Sequence, residues 1–199
     1  MGDVAWNSSV LKTGKLTIDG SGLHGLWGTA FSAAIRELNA LLSSNNVNVT
    51  LTTGKPAVVV VALTSGHYTF QVDGANQSGM LRTDVLHGAT RSIDIQTRTT
   101  SREQAFTFLP EHPHISPTFK NSRDAGEPVM RVMIAHEFLH ALGLDKHPQN
   151  DIGLFAPQWV PNEGSKPADD TVSPFGVQAK LPPLALSGDT VSRLQALWP

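Results

Sequence analysis

The chain has 199 residues, 40% of them hydrophobic and 16% charged, with no cysteine and a formal net charge of −2. That length suits one domain able to bury roughly 70% of its unfolded surface without staples. Zero cysteine excludes disulfide scaffolds, thiolate nucleophiles and cysteine-ligated zinc together. The near-neutral charge argues against a nucleic-acid footprint, and no run approaches the ~20 apolar residues of a membrane span. The first residues, Met1 to Trp6, lack a basic stretch followed by an apolar one, so no secretory signal is expected in this chain.

In chain order, Lys15–Ile18 reads as a short strand closed by the turn cluster Asp19-Gly20-Ser21-Gly22. From Leu26 to Leu42 the apolar residues Leu26, Ala30, Ala33, Ala34, Leu38, Leu41 and Leu42 recur at helical spacing, which predicts an amphipathic helix. Val47–Thr52 alternates as a half-buried strand, and the Val-rich run Ala57–Leu63 predicts a central strand buried on both faces. His67–Val72 alternates again, Asp73–Gly79 reads as a polar loop, and Val85–Gln96 and Ala105–Leu109 each offer a strand. Glu111–Pro128 reads as loop, Val129–Leu144 as a second helix, and Pro148–Pro183, with seven prolines, as irregular coil. A last helix follows, with Ser187 as its N-cap and Asp189 in its first turn.

The second helix carries the chemistry. His136 and His140 stand four residues apart, so their imidazoles share one helix face ~6 Å apart and can converge on an ion. Glu137, about 100° around the helix, is placed to take a proton from a metal-bound water rather than to ligate. By chance this H-E-x-x-H pattern arises in about one such chain in a hundred. Without a metal, three ionisable groups amid Met133, Ile134, Phe138 and Leu139 would sit unpaired in a core, at several kcal/mol. Gly143 suits a left-handed helix end, after which His147 can return as third ligand and leave a fourth position for water. A Glu on a later helix is the rival third ligand, but Glu163 lies in Pro- and Gly-rich coil.

The run His136-Glu137-Phe138-Leu139-His140-Ala141-Leu142-Gly143-Leu144-Asp145-Lys146-His147 resembles the metzincin zinc motif, H-E-x-x-H-x-x-G-x-x-H. Residues 147–157 are similar to the stretch leading to the Met-turn in matrixins, the matrix-metalloprotease relatives. Leu186 to Trp198 resembles their closing helix, Leu-Ser-x-Asp through Gln-x-Leu and an aromatic residue. The resemblance covers about 129–157 and 186–198. Two departures stand out. His147 follows Gly143 by four positions where the motif has three, which puts Lys146 at the ligand position; the role passes to His147, with Asp145 in reserve. The chain has no methionine after Met133, so Phe155 takes the place of the Met that forms a hydrophobic floor under the metal.

The resemblance implies an α+β fold of the metzincin-like zincin kind: a mixed twisted sheet, two long helices, and a small coil-rich C-terminal subdomain ending in a helix. It implies a single catalytic domain over 1–199, with an upper subdomain 1–144 carrying the zinc helix and a lower subdomain 145–199. It further implies a secreted zinc endopeptidase, with His136, His140 and His147 on Zn2+ and Glu137 as general base; the oligomeric state stays open, with a monomer expected. Gly143 and Phe155 support the metal site, and Trp159 and Phe175 line a substrate pocket. The partner would be a protein or peptide, bound extended along an edge strand. The resemblance also allows structural Ca2+, for which Asp19 and Asp73 are candidates, and a second metal at His112 and His114. His24, His67 and His87 are expected to be ordinary surface or capping residues. Without cysteine, the matrixin latency switch is absent from this chain. Two other readings stay open: a metal-binding or structural module without turnover, and a zinc amide hydrolase acting on a non-peptide substrate.

Overall fold

The computed structural model describes residues 2–72, 74–81, 88–96, 100–115, 123–148, 153–155, 160–161, 171–172, 179–180 and 184–199. The helices are α1 (Ser8–Thr13), α2 (Gly25–Ser44), α3 (Glu127–Ala141) and α4 (Gly188–Leu197). The principal strands are β1 (Lys15–Asp19), β2 (Thr50–Thr53), β3 (Val59–Thr64), β4 (His67–Val72), β5 (Ala75–Met80), β6 (Ala89–Gln96) and β7 (Thr100–Pro110). Two-residue strands follow: β8 (His114–Ile115), β9 (Arg123–Asp124), β10 (Val160–Pro161), β11 (Thr171–Val172) and β12 (Ala179–Lys180). The molecule is therefore an α+β protein.

A five-stranded mixed sheet in the order β2-β1-β3-β7-β6 forms the frame. β2, β1, β3 and β7 run parallel, while β6 is antiparallel to β7 and closes one edge. Parallel neighbours need a long crossover, and α2 supplies the one between β1 and β2. Leu16, Ile18, Val59, Val61, Ala105 and Leu109 share one buried cluster with the inner faces of α2 and α3. Phe31 of α2 meets Phe138 of α3 edge to face at 6.0 Å. Phe106 and Phe108, whose side chains alternate to the other face, join Tyr68 and Phe70 of β4 in a second cluster. β3 lies in the middle of the sheet, as the Val-rich run predicts, with Val59 and Val61 fully buried and Val60 and Ala62 half-buried.

Several elements differ from expectation. Asp73–Gly79 is not simply a loop, because Ala75–Met80 is a strand paired with β4. β4 and β5 pair from Val72–Ala75 to His67–Met80, and in sequence the Asp-Gly dipeptide between them is a hairpin signal hidden by the polar composition. Glu111–Pro128 holds the β8–β9 pair and the start of α3, whose Pro128 lies in the first turn, where a missing N–H is no loss. Within Pro148–Pro183, β10, β12 and β11 pair antiparallel as a small sheet. α1 is short enough to escape periodicity; Asn7 caps it by accepting from the Val10 amide, and Gly14 ends it at φ +59°. β2 begins only at Thr50, although Val47 and Val49 before it are buried. Among the described residues no helix is long and apolar enough to cross a membrane.

Candidate metal centre

α3 ends where its sequence stops tolerating a helix. Gly143 has φ +121°, and a Cβ there would stand 2.6 Å from the Val4 carbonyl oxygen, so only glycine fits. Its amide donates to the His140 carbonyl at 3.0 Å, and the Leu144 amide donates to the Leu139 carbonyl at 3.2 Å. This is the paired closure of a Schellman motif, with Leu139 and Leu144 both buried. The helix end is further held by distant donors. The indoles of Trp6 and Trp198 donate to the carbonyls of Ala141 and Leu142, each at 2.9 Å. The buried Arg102 guanidinium donates to the His140 carbonyl, placing a cation at the negative end of the helix dipole.

Past this turn the chain brings His147 back to His136 and His140. One ligand nitrogen from each of the three lies within 4.8 Å of the others, and among the described residues this is the only such metal-capable group. The Nε2 atoms of His136 and His147 are 2.9 Å apart. Zinc–nitrogen bonds of ~2.0–2.1 Å in a tetrahedron hold nitrogens about 3.3 Å apart, so the three histidines are close enough to hold a metal ion and are compatible with zinc. His136 Nδ1 lies 2.9 Å from the Leu154 carbonyl oxygen, and His140 Nδ1 lies 2.8 Å from that of Leu144. With Nδ1–H donating to these carbonyls, Nε2 is the bare nitrogen on each ring, the tautomer a metal requires. Burial, reinforced by the neighbouring His136, pushes the His140 pKa down to about 3, so this imidazole is neutral at ordinary pH.

Phe155 is fully buried beneath the group, its ring centroid 5.3, 4.9 and 4.7 Å from those of His136, His140 and His147. Phe155, the position expected to hold the hydrophobic floor, packs against all three imidazoles. Glu137 is also buried, and Thr90 Oγ1 on the edge strand β6 donates to its Oε2 at 2.8 Å. Thr90 in turn contacts Thr107 Oγ1 at 3.2 Å. Gly88 makes room for this carboxylate's stem, since a Cβ there would meet Glu137 Cγ at 2.7 Å.

The other sequence candidates separate cleanly. Asp145 and Lys146 are exposed and stand outside the histidine group. Asp19 accepts from the Ser21 amide at 2.9 Å and pairs with Lys55 at 3.2 Å, a turn-making role. His24, His67 and His112 are exposed, and of His114 only the backbone in β8 is described. Asp73, His87, Trp159, Glu163 and Phe175 lie outside the described residues. Thr90, Arg102 and Trp6 had no motif to announce them, and Trp198 is marked only as the aromatic end of the closing helix; only long-range packing brings them to α3. No protein-family model matches the chain, and a search of curated proteins finds no match.

Proposed function

We propose that this chain is a zinc-dependent endopeptidase of the metzincin-like zincin fold, related to the matrixins. The observation that carries the reading is the convergence of His136, His140 and His147 over Phe155, with a glutamate one residue past the first histidine. The three imidazoles would hold the ion through nitrogens freed by backbone acceptors on the far side of the His136 and His140 rings. What zinc supplies in such a site is Lewis acidity, enough to bring a water's pKa toward ~7.

The chain's own groups do the rest. Glu137 takes the water's proton and later passes it to the leaving amine, and Thr90 orients the carboxylate through its hydrogen bond to Oε2. β6 has one edge paired to β7 and, among the described strands, no partner on the other. An extended peptide can add there as a further strand.

The burial of Glu137 and its bond to Thr90 favour a second reading as well, a metal-binding module in which the carboxylate ties α3 to β6. Casein hydrolysis separates the two. The endopeptidase reading expects turnover that a chelator abolishes and zinc restores, with Glu137→Ala at least ~100-fold slower at unchanged zinc content. Stoichiometric zinc without hydrolysis of casein or a peptide library supports the module, and undiminished cleavage by Glu137→Ala removes the mechanism.

A further inference from the structure

The loop from Gly143 to His147 is one residue longer than the motif it resembles, and three of its four peptides are held by hydrogen bonds. The Val4 amide donates to the Gly143 carbonyl at 3.0 Å, and the Leu144 carbonyl lies 2.8 Å from His140 Nδ1. The Asp145 amide donates to Asp3 Oδ1 at 3.0 Å. The Lys146 carbonyl accepts from Arg193 Nη2 at 2.8 Å. Asp3 and Arg193 are themselves joined in a two-point fork, Nη2 to Oδ1 at 2.6 Å and Nε to Oδ2 at 2.7 Å. The Arg193 guanidinium carbon also stands 5.9 Å from the centre of the Phe155 ring, over the floor of the histidine group.

We propose that Asp3 and Arg193 form a clamp that seats the lengthened loop and so positions His147 as third ligand. The proposal rests on the reading of His136, His140 and His147 as a zinc centre. Its physical logic is geometric. An added residue gives the loop more conformations, and a third ligand is useful only in one of them. A carboxylate and a planar guanidinium, already locked together by two parallel bonds, present one acceptor and one donor at a fixed separation. Asp145 N–H and Lys146 C=O belong to the two residues immediately before His147, and the clamp takes both. Asp3 comes from the N-terminal segment and Arg193 from α4, so residues 190 positions apart in sequence fix one ligand. Neither touches the reacting atoms; both are positioning residues.

Zinc affinity, measured by competition with a chromophoric chelator, tests the proposal on the full chain and four variants. Arg193→Ala and Asp3→Asn should each weaken binding about 10–100-fold, the range for groups that orient metal ligands. Asp3→Asn keeps size and an acceptor oxygen, so it guards against a simple failure to fold. His147→Ala should weaken binding more than either. In the His147→Ala background, Arg193→Ala should weaken it no further, because a clamp acts only through the ligand it seats. Cobalt(II) loaded into Arg193→Ala should show a visible spectrum shifted toward that of His147→Ala.

Unchanged zinc affinity in Arg193→Ala overturns the clamp, and so does an equal loss with and without His147. Unchanged affinity in His147→Ala instead overturns the zinc-centre reading beneath it. The two failures are therefore told apart by which variant is silent.

Discussion

At His140, burial and the neighbouring His136 hold the imidazole pKa at about 3, against an ordinary 6.5. The unfolded chain takes up this proton near 6.5 and the folded chain does not until about 3, so between those values the unfolded state binds more protons. This contribution to stability is complete above pH 6.5 and is progressively lost as pH falls toward 3. The metal-free protein should therefore show a urea midpoint that drops on acidification below 6.5, and His140→Gln should flatten that part of the profile. A midpoint constant through this window contradicts the assignment of a buried neutral imidazole. The H-E-x-x-H spacing was enough to find His136, Glu137 and His140, because helical geometry alone puts four-apart residues on one face. Phe155 could be placed only by counting from His147, yet its ring does lie under all three histidines.

At the scale of the element, α3 is a helix with histidines at its end, and that end is built from distant parts of the chain. Three successive carbonyls, those of His140, Ala141 and Leu142, accept from Arg102, Trp6 and Trp198. A buried carbonyl left without its donor costs about 1–3 kcal/mol. Trp6→Phe removes the N–H that Ala141 accepts and leaves a small cavity where the larger indole packed, while Arg102 Nη1 still stands 3.4 Å from that carbonyl, so it should lower stability by about 1–3 kcal/mol. Denaturant unfolding measures the loss, and a value near zero would mean that water replaces the indole. Gly143 and the Ser187 cap were legible because turn and cap chemistry is local. The Ser187 hydroxyl accepts from the Thr190 amide, as its position predicts. The β4–β5 hairpin was missed because β5 (Ala75–Met80) has little apolar character; its identity comes from its partner strand.

Across the whole molecule, residues 3–6 and 193–198 meet at the end of α3 and beside the loop that leads to His147. Trp6 and Trp198 are buried in the same cluster as Leu139, Leu144 and Phe155, and Asp3 meets Arg193 beside the third-ligand loop. Sequence periodicity assigns each element separately and carries no information about such meetings. That is why the separate elements and the helix of the site were readable from the residues, and the α+β class through the resemblance, while the Asp3–Arg193 pair and the donors to α3 were not. Where these elements meet, His136, His140 and His147 are proposed to make one zinc site. Anomalous diffraction at the zinc absorption edge, on crystals of the zinc-loaded protein, tests it most directly. One peak at ~2.0–2.1 Å from Nε2 of His136, His140 and His147 is the expected result. A peak ligated by Asp145 in place of His147, or no peak among these histidines, would contradict it.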